Sequence, residues 1–481
     1  MEKENSREHH AIKLANEIWF KGASDSEVKH LIDVIENCDV NATIRLGDRT
    51  ERTSDPKLGY QAGTFIELKV QNPDNTFQDA TKKVLVKNIQ KKIVSDLQAD
   101  DLAGAALDGA TSPEVIAKLE KVYGRKLTEA DMVTIMNFEF TEKIKGAGEL
   151  LESGAMKIAK LPADNPSSLD FDHYTLPLIE HDYPAKTPVM WNAAYRKFGL
   201  KTGNIMLVGD PTHAKEILTV LENDPKYLGG GAGVGFKDEA SKHLELDPAA
   251  EAIGAINFIL KTPEGKLRGY NTDGLGYAES LAERFAAQGE DIRGKKAVLL
   301  GAGGTGNAVA FALAEKGMKI TILNRTEKKA EELATRINRY IGAEIASFGG
   351  ELMTASEITS ADAVINVSTK GAAGEMAEYS ALAPARLPAT PENLAENYLN
   401  AARLFEFIPK KAVVSDIVLT KEGTPFLKKA AELGFETLDG VPMVVNQGVE
   451  AFWLLHSKEL IEKGVTKQEL AETMKEAANR K

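Results

Sequence analysis

The sequence has a single cysteine, Cys38, among its 481 residues. One thiol excludes an intramolecular disulfide framework and a cysteine-rich zinc site. The eight histidines are scattered, and we interpret His9 and His10 as a solvated pair in a polar N-terminal stretch. We therefore predict no bound metal. Because the thiol is alone and the N-terminus has no hydrophobic signal segment, we also predict a cytoplasmic protein.

Long hydrophobic runs and an excess of positive charge are also missing. No apolar run reaches the roughly 18 residues that a membrane-spanning helix needs, so we predict no membrane contact. The chain has 59 basic and 71 acidic residues, a formal net charge of −12. This balance disfavours nucleic acid as the main partner. The hydrophobic content of 43% suits a globular protein whose length allows two or three domains.

The most informative segment that is present is VLLGAGGTGNAV, residues 298–309. An apolar strand leads into three glycines and then a helix of small residues. The glycines suit, in order, a tight turn, a close approach of the backbone to a pyrophosphate, and close packing of helix on strand. The helix start offers unpaired N–H groups to phosphates. We predict a dinucleotide site that includes Gly301, Gly303, Gly304, Thr305 and Gly306.

A second apolar run, Ile320–Leu323, ends in Asn324, Arg325 and Thr326. NAD enzymes usually carry Asp or Glu here for the ribose 2′-hydroxyl, whereas an arginine followed by Lys328 and Lys329 suits a 2′-phosphate. We therefore predict NADP as the cofactor; the alternative is a structural turn without a nucleotide. The further residues predicted to contact NADP are Asn324, Arg325, Thr326, Lys329 and Val367.

Strands and helices alternate around this segment, which predicts a doubly wound parallel sheet of Rossmann type. The predicted strands are Lys296–Leu300, Lys319–Leu323, Ala363–Val367 and Val413–Ile417, and the predicted helices are Gly306–Lys316, Glu327–Ile337 and segments around Val449–His456 and Lys467–Asn479.

Residues 1–165 form an additional N-terminal region, which we predict to be a mostly helical α+β region. A strand is expected at Thr64–Val70 and a helix start at Ser112 and Pro113. Apolar residues at helical spacing predict a further helix with a buried face; they are Val86, Ile89, Ile93 and Leu97. For the lysines on that segment we favour a solvated face over an anion site; they are Lys82, Lys83, Lys87, Lys91 and Lys92. Residues 162–168 are the predicted linker.

Five further motifs accompany the glycine turn in a fixed order. They are TPVMWNAAY from Thr187, GAGVGFK ending at Lys237, GAIN ending at Asn257, GYNTDGLG from Gly269, and DGVPMVVNQ ending at Gln447. Together with the turn at Asn324, this set resembles the shikimate/quinate dehydrogenase family over roughly residues 175–460. Residues 1–165 are an extra domain that typical members of this family lack. For the rest of the chain the resemblance implies an α/β substrate domain (166–285), an NADP-binding Rossmann domain (286–430) and C-terminal helices that pack back on the substrate domain (431–481).

The resemblance also implies a reaction. It is hydride transfer between the nicotinamide and a cyclic hydroxy/keto acid, 3-dehydroshikimate/shikimate or a related compound. Lys237 falls on the family's catalytic lysine and Asp273 on its partner aspartate, which would supply or remove the proton of the hydroxyl. The implied substrate-binding residues are Thr187, Asn257, Thr272 and Gln447. The alternatives are a turn residue for Asn257, a structural hydroxyl for Thr272 and a helix-end cap for Gln447.

The chain departs from the family pattern in the substrate pocket. Ala185 and Thr187 stand where the family has two serines that bind the substrate carboxylate. Either Lys186 or Tyr183 replaces those donors, or the substrate is larger or lacks that carboxylate. The run of glycines from Gly229 either forms a simple loop or widens the pocket. The other departures are Gly231, Gly233, Gly235, Phe258 and Leu419.

These departures leave two alternatives to the family reaction. One is a dehydrogenase for a distinct, non-shikimate substrate. The other is a dinucleotide-binding sensor or regulator with weak or no catalysis, although such a protein would need neither Lys237 nor Asp273. For residues 1–165 we favour packing or homo-oligomerisation, the alternatives being a cover for the active site or a site for a second ligand or protein.

Overall fold

The computed structural model describes residues 17–21, 25–37, 42–46, 60–74, 76–78, 82–98, 101, 112–420 and 422–479. The chain forms two compact units. The first contains Met1–Ala159, Ile179–His181 and Leu207–Tyr227, and the second contains Lys160–Leu178, Asp182–Met206 and Leu228–Lys481. His9, His10 and Cys38 lie outside the described residues. Within the described ranges, no helix is both long and apolar enough to cross a membrane.

The first unit is built on a five-stranded sheet. Its strands lie in the order Glu17–Lys21, Phe65–Gln71, Lys82–Ile93, Met132–Phe140 and Ala42–Leu46. The first two strands are parallel and the other neighbours are antiparallel. The unit also contains the paired strands Met156–Ile158 and Leu207–Gly209 and the α-helices Asp25–Glu36, Ser112–Tyr123, Ala147–Glu152 and Ala214–Asn223. The predicted strand at residues 64–70 and helix start at Ser112 are confirmed.

The helix predicted through Val86 and Leu97 is wrong, because residues 82–93 form a strand. The register of this strand shifts between Val86 and Asn88, where it pairs with Met132–Phe140. Such a bulge moves the alternation of buried and exposed side chains by one residue. Val84, Val86 and Ile89 therefore all pack on one core, and their spacing imitates a helix. The described N-terminal residues contain more strand than the sequence predicts.

Four lysines of this strand are ion-paired, which neither the solvated-face nor the anion-site interpretation anticipates. Lys87 Nζ lies 2.8 Å from Glu149 Oε2, and Lys92 Nζ lies 2.6 Å from Asp101 Oδ1. Lys82 and Lys83 pair with Glu142 and Glu216. Of the four carboxylates in these pairs, Glu216 is the least exposed, at 3%. These cations stabilise contacts within the first unit.

The second unit contains two sheets of six strands. The mixed sheet has the order Glu245–Leu246, Leu267–Tyr270, Phe258–Lys261, Tyr227–Gly231, His173–Thr175 and Thr202–Asn204. A short strand outside this sheet consists of Leu178–Ile179. The helices that accompany it are Thr187–Phe198, Phe236–Ser241, Pro248–Ile253 and Asp273–Ala287.

The other sheet is entirely parallel. Its order is Ala346–Gly349, Lys319–Leu323, Lys296–Leu300, Ala363–Asn366, Val413–Asp416 and Glu436–Leu438. The strand order reverses beside Lys296–Leu300, as in doubly wound nucleotide-binding sheets, where ligands bind at the carboxyl ends next to the reversal. The helices of this part are Gly304–Glu315, Glu327–Ile341, Thr354–Glu357, Pro391–Phe405 and Pro425–Glu432. The predicted Rossmann-type sheet is confirmed.

Two long helices, Val441–Glu462 and Lys467–Ala478, end the chain. They pack on the helix Thr187–Phe198 through an apolar cluster. Trp191 lies at its centre, with its ring 5.0 Å from that of Phe452. The helix Val441–Glu462 also packs closely on the helix Asp273–Ala287, because a Cβ at Gly276 would lie 2.3 Å from the backbone nitrogen of Gln447. This approach brings Gln447 beside the start of the latter helix.

Candidate active site

Lys237 and Asp273, which are 36 residues apart, meet in the second unit. Lys237 Nζ lies 2.7 Å from Asp273 Oδ2. Lys237 lies at the start of a short helix that follows Gly235, whose φ of +81° favours glycine. Asp273 is the first residue of its own helix. The two side chains are 41% and 17% exposed, so solvent and a substrate can reach the amine.

Asn257 fixes the orientation of this carboxylate. Its Oδ1 accepts hydrogen bonds from the backbone nitrogen of Thr272 at 2.7 Å and from the Thr272 hydroxyl at 3.2 Å. Its Nδ2 is thereby directed to Asp273 Oδ1, at 2.7 Å. One oxygen of Asp273 is therefore held by Asn257, and the other remains for Lys237. Asn257 and Thr272 are both buried.

Gln447 closes the other side of this group. Asn257 Nδ2 also lies 3.2 Å from Gln447 Oε1, and Gln447 Nε2 donates to the backbone oxygen of Val444. One helical turn after Asp273, the Tyr277 hydroxyl donates to Ser415 Oγ at 2.7 Å. Ser415 belongs to the parallel strand Val413–Asp416, so the helix that begins at Asp273 contacts the carboxyl-terminal half of a strand of the parallel sheet.

Thr187 is not joined to this group by any hydrogen bond within the described part of the chain. It is the first residue of the helix Thr187–Phe198. Neighbouring Lys186 donates from Nζ to the backbone oxygen of Ala478 at 2.9 Å, so its amine contacts the C-terminal helix. Burial raises the pKa of Tyr183 above its usual value, which keeps its hydroxyl protonated. Ala185 is buried and has no side-chain donor.

Several departures from the family pattern have structural explanations. Phe258 is 2% exposed and packs on Trp191, with ring centroids 5.9 Å apart, so it belongs to the core. Gly229 and Gly230 lie in a strand where a Cβ would come within 2.4 Å and 2.2 Å of the backbone oxygens of Ile259 and Leu176. These two glycines permit close strand packing. Gly231 has more space, and Leu419 is 56% exposed.

The glycine turn fits a bound pyrophosphate. Gly301 has φ +126°, and a Cβ there would lie 3.0 Å from Ser368. At Gly306 a Cβ would lie 2.9 Å from Val367 Cγ2, so the helix and the loop after Ala363–Asn366 are in close contact. Gly303 and Gly304 face open space. No side chain caps the helix Gly304–Glu315, which leaves its first N–H groups for a ligand.

Arg325 follows the next strand and is exposed. Among the residues that the structure describes, Arg325, Lys328 and Lys329 have no ion-pair partner, whereas Asn324 Nδ2 donates to the backbone oxygen of Thr326. A cavity opens beside this turn, and we refer to it as the Arg325 cavity. Its lining includes Gly301, Asn324, Arg325, Glu351, Ser368 and Lys370. A free guanidinium at its wall suits an anionic 2′-phosphate.

The sequence is related to known proteins over its second part. The family model for shikimate/quinate 5-dehydrogenase matches residues 280–377. Over 282 residues the chain is 32% identical to the shikimate dehydrogenase (NADP(+)) of Desulforamulus reducens, which covers 57% of this chain and 86% of that protein. The chain belongs to the shikimate/quinate dehydrogenase family.

Two further comparisons agree with this membership. The shikimate dehydrogenase (NADP(+)) of Methanosarcina acetivorans is 34% identical over 277 residues, covering 56% of this chain and 87% of that protein. The crystal structure of shikimate 5-dehydrogenase from Listeria monocytogenes, in complex with shikimate and NAD, has a TM-score of 0.50 and 25% identity, covering 62% of this chain and 95% of that chain. The predicted family, and with it the assignment to the oxidoreductases, is confirmed.

The sequence interpretation missed two charged residues of the Arg325 cavity, Glu351 and Lys370. Each follows the carboxyl end of a parallel strand, Ala346–Gly349 and Ala363–Asn366 respectively. The available signal in the sequence was their position just after a strand, because ligands of parallel sheets bind at the carboxyl ends of the strands. Within the described residues of this dehydrogenase, no cluster of three or more His, Cys, Asp or Glu side chains could hold a metal ion.

A buried histidine gives the second unit a pH-dependent stability. His456 is 6% exposed, and its Nε2 lies 3.2 Å from the Tyr195 hydroxyl. Burial, with a smaller effect of His173, lowers the pKa of His456 from 6.5 to about 4. Below pH 6.5 the unfolded chain therefore binds a proton that the folded chain binds only near pH 4. Stability is complete above pH 6.5 and falls as the pH falls through this interval.

We expect unfolding at pH 5 to require about 2 kcal/mol less than at pH 7 from this group alone. The His456→Gln variant should lose that part of the pH dependence, because its amide does not titrate. Denaturant unfolding followed by tryptophan fluorescence at both pH values measures it. His243→Gln, at an exposed position, serves as the control and should behave as wild type. Equal pH dependence in wild type and His456→Gln would contradict the assignment.

Proposed function

We propose that this chain is an NADP-dependent dehydrogenase that interconverts a CH–OH group and a ketone on a cyclic hydroxy acid. The favoured pair is shikimate and 3-dehydroshikimate, or a closely related compound. The 2.7 Å contact between Lys237 Nζ and Asp273 Oδ2 carries the proposal. The shikimate dehydrogenases named above support the substrate class. Arg325, which has no ion-pair partner in the described part of the chain, supports NADP rather than NAD.

The cofactor, when bound, supplies or accepts the hydride. In the direction of reduction, Lys237 Nζ donates a proton to the oxygen of the former ketone; in oxidation it accepts the proton of the hydroxyl. Asp273 holds the amine in position through Oδ2, and Asn257 holds Asp273 through Oδ1. Thr187, Thr272 and Gln447 are the further proposed substrate contacts.

A second candidate is a dehydrogenase of the same chemistry for a substrate without the family's carboxylate. Ala185 favours it, since it has no hydroxyl. Lys186 favours it as well, because its amine contacts Ala478 and is not free to replace a serine. Losing a donor to a buried carboxylate costs about 1–3 kcal/mol of binding unless another group replaces it.

The proposed domain limits are those stated above, with residues 1–165 as the extra region. The Desulforamulus reducens relative covers only 57% of this chain. We keep homo-oligomerisation as the proposed role of the extra region. A reducing compartment such as the cytoplasm remains our prediction from the single cysteine.

A spectrophotometric assay of NADPH absorbance tests the function. The panel contains 3-dehydroshikimate for reduction, shikimate and quinate for oxidation, and cyclic hydroxy compounds without a carboxylate. We expect turnover with at least one cyclic compound and a preference for NADP(H) over NAD(H). Turnover only without the carboxylate would select the second candidate. NADPH binding without turnover of any compound would reject both and favour a sensor.

A further inference from the structure

The wall of the Arg325 cavity contains a half-buried ion pair in addition to Arg325. Lys370 Nζ donates to Glu351 Oε1 at 2.6 Å and to the backbone oxygen of Ala383 at 2.8 Å. The Lys370 and Glu351 side chains are only 13% and 23% exposed. Both residues line the same cavity as Arg325. The Glu351 carboxylate therefore lines the same cavity in which the sequence predicts the 2′-phosphate of NADP.

The two partners reach the cavity from different strands. The backbone nitrogen of Asn324 donates to the oxygen of Gly349 at 3.1 Å, so the segment carrying Glu351 leaves its strand beside Asn324 and Arg325. Lys370 comes from the loop that contacts the glycine turn. Within that loop Asn366 Nδ2 donates to the backbone oxygen of Lys370 at 2.9 Å.

These positions have different consequences for the two nicotinamide dinucleotides. A free carboxylate in this cavity would repel the 2′-phosphate of NADP, whereas NAD has only an uncharged 2′-hydroxyl at that position. Arg325 attracts that phosphate. Glu351 would oppose Arg325 if its charge were free, and Lys370 is the cation that neutralises it.

We propose that Lys370 is a specificity-determining residue: by pairing with Glu351, it prevents a carboxylate from opposing the 2′-phosphate of NADP. The inference rests on the proposed function, in which this cavity receives the adenosine ribose of the cofactor. It requires no contact between Lys370 and the phosphate. It also explains how Glu351 and Arg325 can line the same cavity for an NADP phosphate.

The test compares dissociation constants of NADPH and NADH, measured by fluorescence of the bound nucleotide without substrate. The Lys370→Met variant should bind NADPH at least about 10-fold more weakly, because the uncompensated charge of Glu351 would repel a phosphate bound in the same cavity. Its NADH affinity should stay within about 3-fold of wild type, since the 2′-hydroxyl of NADH is uncharged.

Two more variants separate this role from a structural one. Lys370→Met combined with Glu351→Gln still leaves the oxygen of Ala383 without its donor but removes the charge, and it should restore most of the NADPH affinity. Glu351→Gln alone keeps an acceptor for Lys370 and should bind NADPH as tightly as wild type or more so. It gives an answer even if Lys370→Met does not fold.

The control is Lys296→Met. Lys296 forms a similar half-buried pair with Glu357, at 2.9 Å, but it lies at the amino end of its strand, away from the glycine turn. It should leave both affinities unchanged. Equal weakening of NADPH and NADH in Lys370→Met, or no rescue in the double variant, would overturn the proposal. Wild-type protein that binds neither nucleotide would instead reject the proposed function, before any variant is compared.

Discussion

Replacing Lys237 with methionine is expected to lower kcat by a factor of about 10²–10⁴, the usual contribution of a positioned proton donor. Methionine keeps much of the side-chain volume and loses the amine. Lys237 is 41% exposed, so folding should tolerate the change. The predicted NADPH site lies on residues of the parallel sheet, so the dissociation constant of NADPH should stay within about 3-fold of wild type.

Steady-state kinetics with the best compound of the panel, together with nucleotide fluorescence titration, measure the two quantities. The control is Lys242→Met. Lys242 lies just after the same short helix and pairs with Glu239 on the surface. It should retain wild-type kcat. Unchanged turnover in Lys237→Met would remove Lys237 from the proton-transfer step, whereas loss of NADPH binding would indicate a wider structural role.

Much of the parallel sheet could be predicted because its signals are local. After their first lysine, Lys296–Leu300 and Lys319–Leu323 are apolar apart from Thr321, as expected of strands covered on both faces, and the structure has them at the predicted bounds. The glycine turn lies directly after the first run. A short stretch of sequence therefore contains both the element and the reason for its position.

The strand at residues 82–93 could not be predicted from the same kind of signal. Its alternation is interrupted by the shift between Val86 and Asn88. A bulge is set by the neighbouring strand, which follows about 40 residues later in the sequence. Apolar spacing within one segment cannot reveal it. The ion pairs of its lysines likewise depend on partners such as Glu149 and Glu216.

The candidate site divides in the same way. The motifs around Lys237 and Asp273 were recognisable from sequence, but their 2.7 Å contact depends on the fold. The interpretation of Asn257 as a substrate contact omitted its bonds to Thr272 and Asp273. The pair of Lys370 and Glu351 lies across two strand ends, and neither residue carries a motif.

Replacing Arg325 with serine is expected to weaken NADPH binding by about 10–100-fold, the value of a hydrogen-bonded charge pair of about 1.5–3 kcal/mol. NADH has no 2′-phosphate, so its affinity should change by less than about 3-fold. Arg325 is exposed and has no ion-pair partner among the described residues, so its loss leaves no charge unpaired and stability should be preserved.

Arg339→Ser, at the far end of the helix Glu327–Ile341, is the control and should bind both nucleotides as wild type does. Parallel weakening of NADPH and NADH in Arg325→Ser would mean that Arg325 supports the turn and does not read the phosphate; the selectivity for NADP would then have to come from Lys328 or Lys329.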